Sequence, residues 1–143
     1  MNQYNAPFFG LYQNLYLVSR DQLGPQKAML LFTATMEKGL TSAYGNNFIK
    51  GNTGSFVKAV GDRDKAVGLD VRFKDVTKDS LKYEFHTDPF PGLKGQLPHR
   101  ALDHSYMNFK VRHLLGNNWE YETTKHLWNG DPYTQHWIKK NRP

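Results

Sequence analysis

The segment best equipped for chemistry is residues 85–91, which contains a histidine and an aspartate two residues apart. A histidine can act as a general base when a neighbouring carboxylate orients its ring. The segment lies where a strand pattern gives way to a loop, and such boundaries often carry functional residues. We therefore predict that His86 transfers a proton and that Asp88 orients it. The alternative is structural: Asp88 and Pro89 start a turn, and His86 lies on the polar face of the strand.

A second histidine, His104, is predicted to lie in the first turn of the fourth helix. It precedes Met107 by three residues and Val111 by seven, so a regular helix would place all three on one inward face. Burial and a nearby helix N-terminus would both disfavour the charged imidazolium and leave a neutral base. His104 is therefore a third catalytic candidate. A core histidine satisfied by a backbone carbonyl is equally compatible with this position.

Polar side chains also alternate along the strand predicted over residues 119–128. Glu122, Thr124 and His126 share one face, and Trp128 adds an aromatic ring to it. This face is either one wall of a polar pocket or the solvated face of an antiparallel sheet.

Recognition of an anionic group needs a cation, and two arginines are candidates. Arg63 could bind a carboxylate if it turns inward, and Arg112 lies on the predicted fourth helix. Tyr106 belongs to the same helix and is expected beside His86 and Asp88. The predicted ligand-binding residues are therefore Arg63, Tyr106, Arg112, Thr124, His126 and Trp128.

Cysteine is absent from the 143 residues, which excludes disulfides, a cysteine nucleophile and Cys-ligated zinc or iron–sulfur sites. Six histidines are present, but no two show the H-x-x-x-H or H-x-H spacing of a metal site. His99, His104 and His113 are too irregularly spaced to indicate a ligand set. We therefore predict neither a metal site nor a cofactor.

Length and composition indicate one domain, residues 1–143, that can bury a sizeable core. The 19 Lys and Arg outnumber the 13 acids, but they are interspersed, and no basic run exceeds Lys139-Lys140 with Arg142 nearby. No nucleic-acid partner is therefore predicted. The N-terminus lacks the features of a signal peptide, and no apolar run approaches the roughly 20 residues that span a bilayer. The prediction is a cytoplasmic protein without a membrane partner.

The periodicity of apolar residues predicts helices first and strands later. Helical spacing covers residues 8–22, 25–45 and 53–66, the third helix being capped by Thr53 or Ser55. Alternation with a period of two predicts strands at 69–74 and 81–86. A fourth helix, capped by Asp103, is predicted for residues 103–116.

The pair Asn129-Gly130 favours a type I′ turn and therefore a hairpin of residues 119–128 and 131–138. A two-residue loop implies four pairs in particular: Glu120 with Lys139, Tyr121 with Ile138, Thr123 with His136, and Thr124 with Gln135. The predicted fold class is α+β. N-terminal helices pack on a small antiparallel sheet of about four strands, with one inserted helix and a C-terminal hairpin.

The order of these elements resembles the L-2-amino-thiazoline-4-carboxylic acid hydrolase family and the related vinyl-reductase-type ligand-binding domains. In that pattern a helical half precedes a strand that enters a Pro-containing turn, here residues 83–91. A helix with an Asp near its start follows, here at Asp103, and a Thr-bearing strand with a Gly-Asp turn comes last, here residues 121–131. The family pattern carries cysteines that this chain lacks. The resemblance implies a small-molecule pocket between helices and sheet.

Titratable groups are concentrated in the half of the chain that is richest in aromatics, and small-molecule pockets combine apolar walls with a few polar groups. We therefore predict a small-molecule enzyme, a metal-independent hydrolase or isomerase of a small anionic metabolite, with His86, Asp88 and His104 as catalytic residues. The alternative is a non-catalytic small-ligand-binding or sensor domain that uses the same cavity. The first helix is apolar around much of its circumference, which predicts burial either in the protein's own core or against a partner in a homodimer.

Overall fold

The structure is a computed structural model and describes residues 3–141. Its helices and one antiparallel sheet confirm the predicted α+β class. In chain order the elements are α1 (Ala6–Leu23), α2 (Pro25–Tyr44), α3 (Thr53–Ala66), β1 (Val71–Lys74), β2 (Ser80–Phe85), α4 (His99–Leu114), β3 (Trp119–Lys125) and β4 (Thr134–Lys140). Within residues 3–141, none of the helices combines the length and apolar character that crossing a bilayer requires.

Asparagine side chains mark where two of the first three helices begin. Asn5 accepts a hydrogen bond from the Phe8 backbone N–H (3.1 Å) and caps α1. Asn52 caps α3 in the same way, with the Ser55 backbone N–H as donor (2.9 Å). An Asn at this position satisfies a backbone donor that has no partner inside the helix. The prediction that Thr53 or Ser55 caps this helix is therefore wrong, since both lie within it.

Helix α4 begins at His99, well before the predicted start. Pro98 occupies its N-cap position, and a proline is tolerated at a helix start because no N–H is needed there. Asp103 therefore lies one turn inside the helix, where it is buried, and its predicted role as the cap is wrong. His104 is exposed, so its predicted position on the inner face with Met107 is also wrong.

The sheet has the strand order β1-β2-β4-β3, and all neighbouring strands are antiparallel. The predicted hairpin register is confirmed at one end, where Glu120 pairs with Lys139, Tyr121 with Ile138 and Thr123 with His136. A bulge then shifts the register, so that Lys125 rather than Thr124 pairs with Gln135. An extra residue in one strand turns the later side chains to the other face. The predicted two-residue turn is replaced by a longer connection with a 3-10 turn at Leu127–Asn129.

The helices pack against one face of the sheet. Strand β4 lies between β2 and β3, so Lys139 and Lys140 belong to an inner strand of the sheet. Arg142, the third residue of that basic run, lies outside the described residues. The buried face of the sheet includes Leu81, Tyr83, Phe85 and Ile138.

Helix α1 is buried on one side only. Phe9 and Tyr16 lie in the core, whereas Leu11 and Val18 are 71% and 60% exposed. The predicted homodimer therefore has an apolar surface available on α1, and it stays a prediction that light scattering can check.

Candidate functional site

A cavity between the helices and the sheet contains a buried lysine. Lys110 of α4 reaches this cavity, and its side chain is only 5% exposed. The free volume is about 20 Å³, which is enough for a single water molecule. The other walls are mainly apolar and aromatic, and they include Phe8, Phe9, Met36, Leu40, Leu69, Phe85, Pro89, Phe90 and Tyr106.

Two side chains that are buried with Lys110 hold its ammonium group. Nζ donates a hydrogen bond to the Tyr83 hydroxyl (2.9 Å) and lies 3.7 Å from Asp64 Oδ1. The Tyr83 hydroxyl in turn donates a hydrogen bond to Asp64 Oδ2. The rings of Tyr83, Phe85 and Tyr106 surround Nζ, with centroids 5.1 to 5.5 Å away. We call Asp64, Tyr83 and Lys110 the lysine cluster.

The protonation states in the lysine cluster follow from its burial. Burial lowers the pKa of Lys110 to about 8, while the Asp64 carboxylate acts in the opposite direction. The amine is therefore mostly protonated at neutral pH. Burial raises the pKa of Tyr83 well above its ordinary value, and Asp64 adds to this effect. The tyrosine hydroxyl thus stays neutral and remains a hydrogen-bond donor.

A second polar group, which we call the histidine cluster, consists of His99, Asp103 and His126. His99 and Asp103 are four residues apart on α4 and so share one face, and His126 follows β3. His126 Nε2 lies 3.0 Å from Asp103 Oδ2, and the rings of His99 and His126 stack with centroids 4.1 Å apart. Burial lowers the pKa of His99, and His126 contributes in the same direction.

The predicted pair of His86 and Asp88 is not formed. His86 Nε2 lies 3.0 Å from Glu84 Oε1 instead. Asp88 Oδ1 accepts a hydrogen bond from the Phe90 backbone N–H (2.9 Å), and Oδ2 accepts one from the indole N–H of Trp128 (2.7 Å). The hydrogen bond from the Phe90 backbone N–H agrees with the structural alternative, in which Asp88 starts a turn.

His104, the third predicted catalytic residue, lies away from both His86 and Asp88. Its Nδ1 is 2.9 Å from the Tyr121 hydroxyl. The two side chains border an open groove of about 550 Å³ whose other walls are Arg100, Glu122 and Thr123. The structure therefore does not bring the three predicted catalytic side chains together.

Four of the predicted ligand-binding residues lie beside the two clusters. Tyr106 donates a hydrogen bond to Asp103 Oδ1 (2.9 Å), and its ring also lines the cavity that contains Lys110. His126 belongs to the histidine cluster, and the Trp128 ring lies 5.5 Å from it. Arg63 lines the lysine-containing cavity, with its guanidinium 5.0 Å from the ring of Phe8.

The other two predicted ligand-binding residues lie elsewhere. Arg112 is exposed on α4, where its Nε donates to Asn108 Oδ1 (2.8 Å). Thr124 is exposed at the bulge, where its hydroxyl donates to Gln135 Oε1 (2.9 Å). The bulge separates Thr124 from His126, with which it was predicted to share a face.

His136 is a buried histidine whose protonation should control stability in mild acid. Its Nδ1 lies 2.9 Å from the Thr123 hydroxyl, as the predicted register implies. Burial lowers its pKa to about 4 from an ordinary value of 6.5. The unfolded chain binds this proton more readily than the folded chain, so stability is lost as the pH falls from 6.5 to about 4.

We expect a loss of roughly 3 kcal/mol across that pH window, from about 1.4 kcal/mol for each unit of pKa difference. Urea unfolding at pH 7 and at the acid end of the window measures it. The His136→Gln variant should lose much less stability between the two conditions. An equal loss in both proteins would show that other groups dominate the acid response.

Comparison with known proteins identifies the fold. No protein-family model and no curated protein matches this chain. An H-NOX protein from S. oneidensis, in the Fe(II)NO ligation state, superposes with a TM-score of 0.57 over 99% of this chain and 78% of its own length, at 9% sequence identity. A mutant H-NOX protein from K. algicida, in the Fe(II) unliganded state, gives a TM-score of 0.52 over 99% of this chain and 76% of its own, at 13% identity.

These neighbours correct two predictions made from the sequence. The resemblance to the thiazoline-carboxylate hydrolase family and vinyl-reductase-type domains is wrong, because the matching solved structures are H-NOX proteins. The hydrolase or isomerase interpretation is wrong on the same ground. At 9% and 13% identity the similarity extends to the fold alone. The chain has the fold of the H-NOX proteins.

Proposed function

We propose that this chain is a non-catalytic binding or sensor domain for a small, mainly apolar ligand that carries one negative charge. The observation that carries the proposal is the lysine cluster, which places a cation inside an apolar cavity between the helices and the sheet. The fold neighbours support it, since one of them is in an Fe(II)NO ligation state and so holds a small ligand. The single domain, the cytoplasmic location and the homodimer stay predictions.

The charges that border the cavity do not balance. Lys110 and Arg63 contribute two positive charges, and Asp64 contributes one negative charge. With a pKa of about 8, Lys110 keeps its proton at neutral pH. Lys110 is paired with Asp64, so the surplus positive charge belongs to Arg63, whose side chain is partly exposed. A ligand with one carboxylate or similar monoanionic group would complete the balance, while its apolar part contacts the aromatic walls.

The cavity has to expand to admit such a ligand. Its free volume is about 20 Å³, whereas small-molecule pockets measure about 300–1,000 Å³. Aromatic side chains of α1 lie over it, and the start of α1 is fixed by two hydrogen bonds: from the Tyr4 hydroxyl to Pro89 O (2.8 Å) and from Asn5 N–H to Val67 O (3.0 Å). Displacement of this end of α1 opens the cavity. Ligand binding would then change the position of a helix, which is the behaviour of a sensor domain.

An iron group like those of the fold neighbours does not fit this cavity. Haem iron in proteins is held by an axial His, Cys, Met or Tyr. No histidine lines the cavity within residues 3–141, and the Tyr106 hydroxyl already donates to Asp103. Met36 offers a thioether, but methionine holds haem iron together with a histidine. The proposed ligand is therefore an organic anion.

Matched ligands test this proposal. Medium-chain and aromatic carboxylates are compared with the amides of the same carbon skeletons by calorimetry and thermal unfolding. We expect the carboxylates to bind and to raise Tm, because a ligand that binds only the folded state stabilises it. The amides should bind about 10- to 100-fold more weakly, since a hydrogen bond to a charged group contributes about 1.5–3 kcal/mol.

Arg63→Met removes the surplus positive charge from the cavity and should abolish the preference for carboxylates. Stability should change little, because the Arg63 side chain is only partly buried. Arg112→Met is the control, since that exposed arginine lies outside the cavity lining, and both affinities should stay as in the wild type. Equal affinity of the wild-type protein for carboxylates and amides would contradict the proposal.

A further inference from the structure

We infer that the histidine cluster is a binding site for one divalent first-row transition metal ion, with His99, Asp103 and His126 as its protein ligands. Two imidazoles and one carboxylate form a ligand set suited to ions such as Zn²⁺, Fe²⁺ and Co²⁺. The inference goes beyond the proposed function and does not depend on it, because it involves none of the residues of the lysine cluster.

The backbone brings three side chains with metal-binding atoms to one place. One ligand atom from each of His99, Asp103 and His126 lies within 4.8 Å of the other two. Two ligand atoms on a tetrahedral zinc ion lie about 3.4 Å apart, given metal–ligand distances of about 2.0–2.2 Å. The pair of ligand atoms that lies farthest apart therefore has to close by at most about 1.4 Å. The His99 side chain is only partly buried and can make that movement.

Asp103 is a buried carboxylate that has no lysine or arginine partner among residues 3–141. It accepts hydrogen bonds from the Tyr106 hydroxyl and from His126 Nε2. His126 Nδ1 accepts a hydrogen bond from the Trp128 backbone N–H (3.0 Å), so the ring proton lies on Nε2 and the imidazole is neutral. The charge of Asp103 is therefore not compensated. Buried charges in proteins are normally paired or bound to a metal.

His99 has one ring nitrogen that no other group of the described residues engages. Its Nδ1 is buried and has no hydrogen-bond partner within the described part of the chain. Further negative charge lies close by, since Asp131 accepts from the His126 backbone N–H (2.8 Å) and Asp88 accepts from the indole of Trp128. The carboxylates of Asp88, Asp103 and Asp131 therefore favour a cation here, while Arg100 is the positive charge that acts on His99.

Metal binding has to change the tautomer of His126. Coordination through Nε2 moves the ring proton to Nδ1, which ends the hydrogen bond from the Trp128 backbone N–H. The loss of one such bond costs about 1 kcal/mol. This cost is small beside the apparent binding free energy of a structural zinc site, about 10–16 kcal/mol. The 3-10 turn at Leu127–Asn129 should therefore shift, and the Trp128 indole should report it.

Cobalt(II) and zinc(II) are the probes for this site, added to the untagged protein at neutral pH. We expect one Co²⁺ to bind per chain with visible d–d absorption, and Zn²⁺ to displace it with loss of the colour. Tryptophan fluorescence should change during the same titration. His99→Gln should weaken binding by at least about 100-fold, because even outer-shell changes cost about 10–100-fold.

His113→Gln is the matched control for His99→Gln. His113 also lies on α4, is partly exposed and has a buried nitrogen without a partner in the described range, but it belongs to no group of potential ligands. Its replacement should leave the affinity for Co²⁺ unchanged. His99 and His113 are both partly exposed, so both variants are expected to fold. Circular dichroism checks this. Absence of Co²⁺ and Zn²⁺ binding at millimolar concentration, or equal losses in the two variants, would overturn the inference.

Discussion

Replacing Lys110 by Met is expected to lower the free energy of unfolding by about 3–5 kcal/mol. Methionine is an unbranched, adaptable apolar side chain, so little packing should be lost. The loss comes from Asp64, whose side chain is 1% exposed and would remain as a buried carboxylate that has lost its cation and keeps the Tyr83 hydroxyl as a donor. Urea unfolding at pH 7 measures the change.

A second variant separates charge from packing. Lys110→Met combined with Asp64→Asn removes both charges and keeps an acceptor for the Tyr83 hydroxyl, so most of the lost stability should return. Lys58→Met is the control. Lys58 forms an exposed ion pair with Asp62 (2.9 Å), and its loss should cost only about 0.3–0.5 kcal/mol. A cost for Lys110→Met as small as that of the control would contradict the account of the lysine cluster.

Replacing Phe90 by Ala is expected to cost about 3–5 kcal/mol, the usual range for a buried phenylalanine. Phe90 is 2% exposed, and its ring packs against the rings of Phe9, Tyr12, Phe32 and Tyr106. Because it also lines the cavity above Lys110, the variant should enlarge that cavity with apolar walls. Engineered apolar cavities bind small apolar molecules. Benzene should therefore raise the Tm of the variant and leave that of the wild type unchanged.

Phe109→Ala serves as the control for this prediction. Phe109 is a partly exposed phenylalanine of α4 whose ring stacks on His113. Its replacement should cost clearly less stability, and benzene should not raise the Tm of that variant. If Phe90→Ala lowered the free energy of unfolding by less than about 1 kcal/mol, the prediction would be contradicted. Neighbouring side chains would then have filled the space left by the ring.

The elements of the fold were predictable because each depends on a local pattern. Alternation along residues 119–124 and 135–140 fixes which side chains face the core, and this is why the pairs Tyr121–Ile138 and Thr123–His136 were predicted correctly. The bulge before Lys125 could not be predicted, because residues 124–126 are Thr, Lys and His and include no aliphatic side chain that would mark the change of face.

The histidine cluster was missed because the start of α4 was placed too late. With the helix beginning at His99, the spacing of four residues to Asp103 puts both on one face. If Asp103 were the cap, His99 would lie in a loop before the helix. A spacing of four residues does not place two side chains on one face in a loop. The prediction of no metal site rested on the spacing of histidines, although carboxylates bind the same ions.

The lysine cluster had a partial signal in the sequence. Lys110 lies three residues after Met107 and four before Leu114, so it belongs to the buried face of α4. Its partners could not be found in this way. Asp64 lies 19 residues before Tyr83 and Lys110 lies 27 after it, so only the packing of α3 and α4 on the sheet unites the three.

The measurement that tests the central claim most directly is a methyl NMR titration with the tightest-binding carboxylate from the ligand comparison. Met36, Leu40 and Leu69 line the cavity and provide methyl groups beside the lysine cluster. Ligand binding in the cavity should shift these resonances to saturation and should leave the methyl groups of Ile49 and Val76, which are exposed and lie outside both α1 and the cavity lining, nearly unchanged. Unchanged cavity resonances at saturating carboxylate would contradict a ligand site between the helices and the sheet.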